Sequence, residues 1–335
     1  MKPRRRTALS LAFVILGAQL ALPASGAAGD RWPCVRALSA GIQTVDISFE
    51  GKSYPVRVEV PPTASARKRL PMVLNLHFSN GNADQQAAYT GLEAVGDREG
   101  FITVEPNANI PAADPNPNKI WLWNVPGVPT TAGSYPPPDA RDDIAYLTRV
   151  IDQLTQSGCV DQSRVYITGH SGGARMASAY ACARPDKIAA VGASAGLRAG
   201  RPAPLDPMVA ELQSCQPDRP VPVITFHGDA DTTNPYQGRP TDLRWGYSTP
   251  LAVQAWAQLN RCTTGPLVTV VSAHVKKQSY GGCAGQAEVI LYKVAGGTHS
   301  WPGSPADVGA THEIDASTLM WQFFVAHPRA HRANG

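Results

Sequence analysis

Residues 169–173 read Gly-His-Ser-Gly-Gly, between a strand-like run at 164–168 (RVYIT) and a helical pattern over 173–184. A serine at a strand-to-helix turn is presented as a nucleophile. Small neighbours let the backbone close tightly, the Ser171 hydroxyl is lifted clear of the sheet, and the next amide, Gly172 N–H, faces an incoming carbonyl oxygen. Serine is a weak nucleophile unless a base takes its proton and a carboxylate orients that base. The run 221–226 (VPVITF) leads into His227-Gly228-Asp229-Ala230-Asp231, and the run 288–294 (EVILYKV) into Gly296-Gly297-Thr298-His299-Ser300-Trp301. His299 is the candidate base; His170 and His227 sit inside turn motifs and read as core or turn-bonding histidines. The acid is Asp231 or Asp229, with Asp231 favoured by its place further beyond the strand. The second oxyanion donor is expected after the run 72–77 (MVLNLH), from the amide of Phe78 or Ser79. Such a set performs acyl transfer through a covalent intermediate and calls for no metal or organic cofactor. A zinc site has no support, since the chain holds no C-x-x-C or clustered Cys/His pattern.

These loops need a scaffold that brings them to one place. Strand-like runs at 72–77, 101–104, 164–168, 188–194, 221–226 and 288–294 alternate with helical patterns at 89–98, 142–155, 173–184, 251–260 and 316–326. That alternation predicts a mostly parallel sheet with helices on both faces, and reactive loops at the carboxyl ends of its strands. Asp142 or Asp143 is the expected cap of the second helix. The runs 44–50 and 54–60, separated by Gly51-Lys52, predict an antiparallel hairpin at one edge. One catalytic domain is expected over 31–328, with a polar tail over 329–335. The segment 107–139 holds eight prolines with Trp121 and Trp123; a loop this long is expected to line a substrate cleft, with Trp123 and Trp301 as contacts.

The chain has 335 residues, 43% hydrophobic and 17% charged, which supplies a sizeable core and excludes a disordered chain. The formal charge of +4 misleads, because Lys2, Arg4, Arg5 and Arg6 carry all of it. That basic start, a short apolar run ending at Pro23 and a small-residue exit predict a signal peptide over 1–28 and export to the periplasm or exterior, with no stable membrane anchor. The remainder is formally neutral, which gives no support to nucleic-acid binding. The six cysteines, Cys34, Cys159, Cys182, Cys215, Cys262 and Cys283, all follow the leader, and an even count in an exported chain predicts disulfides. Arg175 and Arg198, with Arg201, Arg239 and Arg244, follow motif strands closely. They are either solvated surface arginines or a local cationic rim for a carboxylate-bearing substrate.

The stretches CVDQSRVYITGHSGG, RPVPVITFHGDADTTNPY, AWAQLNRC, YGGC, GGTHSWPG and DASTLMWQFF, spread from about Val73 to Pro328, together resemble secreted polyhydroxybutyrate depolymerase-like esterases, which include feruloyl esterases. The resemblance implies an α/β-hydrolase fold and a triad of Ser171, Asp231 and His299. It also implies Cys262–Cys283 and Cys182–Cys215 disulfides, which leaves Cys34 with Cys159. The chain departs from the family's pattern at Phe78, where the family reads Gly, and at Gly172 and Arg175, where it often has Asn and Met. The expected substrate is a polymeric or oligomeric ester, first a polyhydroxyalkanoate-type polyester. Feruloyl or acetyl esters of plant polysaccharide come second, and an anionic polymer such as polyaspartate, cleaved at amides, third. The rival from another class is a catalytically inactive hydrolase fold that binds carbohydrate or protein.

Overall fold

Strand-forming and amphipathic runs alternate along the chain in the computed structural model, which describes residues 38–330 apart from 66, 67 and 158. The expected leader over 1–28, Cys34 and most of the 329–335 tail lie outside the described residues. In order, the elements are β1 (Gly41–Phe49), β2 (Lys52–Val60), β3 (Leu70–Leu76), α1 (Ala83–Thr90), α2 (Leu92–Glu99), β4 (Ile102–Glu105), β5 (Ile110–Pro111), β6 (Trp121–Leu122), α3 (Asp143–Ser157), β7 (Val160–Gly169), α4 (Gly172–Ala183) and β8 (Ala190–Ser194). They continue through β9 (Arg201–Pro202), β10 (Ala210–Glu211), β11 (Val223–Gly228), α5 (Thr249–Leu259), β12 (Thr264–Val270), β13 (Val275–Gly281), β14 (Val289–Val294) and α6 (Ala316–Ala326).

Ten strands form one sheet in the order β1-β2-β4-β3-β7-β8-β11-β14-β13-β12. The stretch from β4 to β14 is parallel. Its strands are buried almost throughout, as expected for a sheet covered on both faces. Alternate strand residues separate into two apolar clusters. Met72, Leu74, Val165, Ile167, Val289 and Leu291 join α3, α4 and α5, whereas Val73, Tyr166, Ile290 and Tyr292 join α2 and α6. The period of two puts these sets on opposite faces of the sheet.

The α/β-hydrolase architecture thus stands as expected, with two local differences and one choice between two expected caps. The helix expected over 89–98 is two helices, because Gly91 adopts φ +60°, ending α1 and starting α2. Asp142, not Asp143, caps α3, accepting from the Ile144 and Ala145 amides; Asp143 instead holds Arg141 in a buried ion pair. The sheet carries an antiparallel hairpin at both edges, β1–β2 at one and β12–β13 at the other. The second is hard to read in sequence: β12 is exposed along its whole length, so it lacks the buried alternation that marks a strand, and Pro266 inside it argues for a loop.

Candidate active site

The carboxyl ends of β3, β7, β11 and β14 meet around one open cavity of about 520 Å³, which Phe78, Ser79, Ser171 and His299 line together. Ser171 sits in the turn between β7 and α4 at φ +55°, ψ −116°, a conformation L-residues adopt only where the surroundings impose it. Its amide is tied to the Ser194 carbonyl at the end of β8 (2.9 Å). The glycines on either side are steric necessities. A Cβ on Gly169 would overlap the backbone of Gly173, and one on Gly173 would overlap the Leu76 and His77 carbonyls. Gly172 leans on Ser79 closely enough that a Cβ there would overlap Ser79 Oγ. As the first residue of α4, Gly172 has an amide with no intrahelical partner.

His299 Nδ1 donates to Asp231 Oδ2 at 2.6 Å. The Asp231 carboxylate is buried and fully engaged: Oδ1 accepts from the Thr233 and Asn234 amides, both at 2.9 Å. Oδ2 also lies 3.3 Å from His227 Nε2. Burial alone would raise this carboxyl, but the hydrogen bonds from His227 and His299 outweigh it and hold it far below the usual range. Because an ionised carboxylate only accepts, His299 carries its proton on Nδ1, and Nε2 is left as the acceptor. Asp229, the other sequence candidate, faces away. It pairs with Lys293 (3.0 Å) and accepts from the Gly296 amide (2.7 Å).

His227 and His77 are held in hydrogen bonds behind the site, and His170 lies on the cavity wall. His227 Nε2 faces Asn234 O (2.9 Å) as well as Asp231, and its Nδ1 faces the Thr249 hydroxyl (2.9 Å). It therefore carries its proton on Nε2 and braces the acid loop. His170 is buried against His299, ring centroids 4.9 Å apart, and burial pushes it well below the ordinary histidine range. His77 is driven down to about 4 by burial. Its Nε2 accepts from Ala108 N–H (3.0 Å) and its Nδ1 donates to Phe78 O (2.7 Å), which fixes the loop carrying Phe78 and Ser79. In that loop the Asn80 amide is already spent on Trp121 O.

Several expected substrate contacts lie elsewhere. Trp123 is buried, donates from Nε1 to His77 O (2.8 Å) and stacks on the His77 ring. Trp301 is fully buried and donates to Ser317 Oγ. Both indoles hold the loops from behind, and neither lines the cavity. The long segment 107–139 contributes Thr131 to it instead. Arg175 and Arg198 are 3% and 5% exposed, so neither belongs to a solvated rim. Their guanidinium groups are drawn inward onto carbonyls and the face of Trp245. The cavity is lined by residues the motifs did not single out, Tyr89, Thr232, Thr233 and Trp245, together with Arg239 and Arg244. The two disulfides among the described residues are Cys182–Cys215 and Cys262–Cys283, the pairs the resemblance implies.

The family model described as Esterase PHB depolymerase matches residues 53–260. NocK of Nocardia uniformis subsp. tsuyamanensis, assigned as an esterase, is 28% identical over 79% of this chain and 77% of its own length. Feruloyl esterase B of Piromyces equi is 26% identical over 73% of this chain, which spans only 42% of that longer protein. Feruloyl esterase C of Emericella nidulans is 27% identical over 83% of this chain and 85% of its own length. Among solved structures, an acetyl xylan esterase from Aspergillus awamori superimposes with a TM-score of 0.57 at 14% identity, covering 85% of this chain and 99% of that one; at that identity the likeness speaks for the fold.

Proposed function

We propose, starting from a chain that belongs to the esterase PHB depolymerase family and is a serine esterase, that Ser171, His299 and Asp231 are its triad and that it cleaves a polyhydroxyalkanoate-type polyester or its oligomers. The observation that carries this reading is the 2.6 Å bond from His299 Nδ1 to Asp231 Oδ2, with His299 and the strained Ser171 on the wall of one cavity. Asp231 fixes the His299 tautomer, and Nε2 takes the proton as Ser171 Oγ attacks the ester carbonyl. Gly172 N–H and an amide from Phe78 or Ser79 hold the oxyanion; one such donor is worth about 2.7–4 kcal/mol in the transition state. His299 returns the proton to the leaving alcohol, then deprotonates the water that splits the acyl-enzyme.

An open cavity with aromatic walls at Phe78, Tyr89 and Trp245 suits an extended chain of short apolar repeats. Those rings also favour the second reading, a feruloyl or acetyl ester of polysaccharide, as in the enzymes named above. Export is part of the proposal: the leader-like start and the disulfides fit it. Mass spectrometry of products from hydroxybutyrate oligomers, feruloylated and acetylated xylan fragments and polyaspartate tests the substrate. Release of hydroxybutyrate as the fastest reaction is expected. Faster release of ferulate or acetate selects the second reading, and cleavage of polyaspartate alone removes the ester assignment.

A further inference from the structure

Two guanidinium groups are buried behind the active-site cavity with no direct ion pair among the described residues; Asp242 acts on both, and Asp231 on Arg198, only from a distance. Arg175 spends Nη1 and Nη2 on the Arg244 and Pro129 carbonyls (3.0 and 2.9 Å). Arg198 spends its own on Leu197 O and Asn234 Oδ1 (2.7 and 2.8 Å). Carbonyl and amide oxygens satisfy hydrogen bonds but do not cancel charge, and among the described residues neither arginine forms an ion pair. The neighbouring carboxylate, Asp242, already serves Arg244 and Arg239. Each guanidinium keeps a buried Nε with no partner. The strain is visible on Arg175, which burial first, and then the charge of Arg198, pull down to about 9.

Both arginines line a second cavity, of about 110 Å³. Arg244 lines both this cavity and the larger one. The Trp245 ring, on the larger cavity's wall, lies 5.1 and 5.5 Å from the two guanidinium carbons. The small cavity is also lined by the apolar side chains of Val125, Val128 and Ala179, and by Arg201, which is paired with Glu211. Arg175 is also one helical turn beyond Ser171 on α4, about 6 Å along the axis. A buried cation is retained at cost unless something pairs with it. A planar carboxylate on a short aliphatic stem suits a cavity lined by guanidinium groups and by apolar side chains.

We infer that the Arg175–Arg198 cavity is a carboxylate subsite, and that it receives the free acid end of a short ester oligomer whose scissile bond lies at Ser171. The inference rests on the triad reading above and deepens it, since it makes the chain end the recognised feature. The arginines then act from inside the protein, so the preference for an acid end resists salt far better than an exposed rim would.

The test compares the linear trimer of 3-hydroxybutyrate with its methyl ester, which differ only at the terminal carboxyl, in its charge and one methyl group. Calorimetry on Ser171→Ala reads binding once product analysis shows that the variant leaves the trimer intact; hydrolysis by that variant, or fluorophosphonate labelling of another serine in the wild type, reports failure of the triad separately. The acid is expected to bind about tenfold or more tighter than the methyl ester, as charge-assisted hydrogen bonds imply. That preference is expected to shrink towards unity when Arg198→Gln is added. Equal affinity for acid and ester in Ser171→Ala alone overturns the subsite whether or not the arginine variant folds. Binding of free glutarate with no acid-over-ester preference also overturns it, since the pocket then takes a free anion and not the substrate.

Discussion

Asp231→Asn separates the two aspartates that the sequence leaves side by side. An asparagine must place its NH₂ on one side of the old carboxylate. Turned toward the loop, it faces the Thr233 and Asn234 amides, which now bond Oδ1 at 2.9 Å each. Two donors would then oppose two donors, at about 1–3 kcal/mol apiece. Turned toward the histidines, it meets His299 Nδ1, 2.6 Å from Oδ2, and that ring can answer by moving its proton to Nε2. The second arrangement wins, and it leaves an N–H where the base should be. A serine hydrolase with its base in the wrong tautomer loses about 10⁴ in kcat. Asp229→Asn gives up only a half-exposed pair with Lys293 and keeps an oxygen for the Gly296 amide; a surface pair is worth about 0–1 kcal/mol, so kcat stays within a few-fold. Steady-state hydrolysis of p-nitrophenyl butyrate, with folding checked by circular dichroism, measures both. Asp231→Asn retaining a tenth of wild-type kcat, or Asp229→Asn being the more damaging, refutes the reasoning.

Removing the Cys262–Cys283 bridge frees a loop of sequence separation 21, so Cys262→Ser/Cys283→Ser should lose about 3 kcal/mol in urea titration; a loss under about 1 kcal/mol contradicts that. Gly173→Ala should yield little folded protein on expression, because its methyl would overlap the Leu76 and His77 carbonyls; wild-type yield and Tm contradict it. Glu105 is fully buried and burial, then the Glu93 charge, raises its carboxyl well above the usual range. Its folded-state contribution is therefore present below the unfolded pKa of about 4.3 and is lost as pH rises toward the folded value. Glu105→Gln should raise Tm relative to wild type more at pH 8 than at pH 4; the opposite order contradicts the burial argument.

The turn that carries Ser171 is legible because its constraint is local: small residues, a strand before and a helix after fix it without reference to the rest of the chain. That Asp231 and His299 follow β11 and β14 is legible from the apolar runs before them. Spacing favours Asp231 over Asp229 only slightly, since both follow β11; the positions of Lys293 and His299, on and after β14, turn one away and one inward. Trp123 and Trp301 were misplaced because an indole beside a motif looks the same whether it faces substrate or supports the loop from behind. Arg175 was misplaced because arginine is usually exposed. The run GGARMASAYACA, with small or apolar residues at most positions of α4, was the available signal that this helix is buried all round and draws even a guanidinium inside.

Ser171 as the nucleophile, activated by His299 and Asp231, has a chemical signature of its own. Labelling the folded protein with a fluorophosphonate probe, followed by peptide mass spectrometry, tests it most directly. One adduct per chain on the peptide containing Gly169-His170-Ser171 is expected, abolished in Ser171→Ala and strongly slowed in His299→Ala. An adduct on another serine, or none on an enzyme that still hydrolyses esters, contradicts the account.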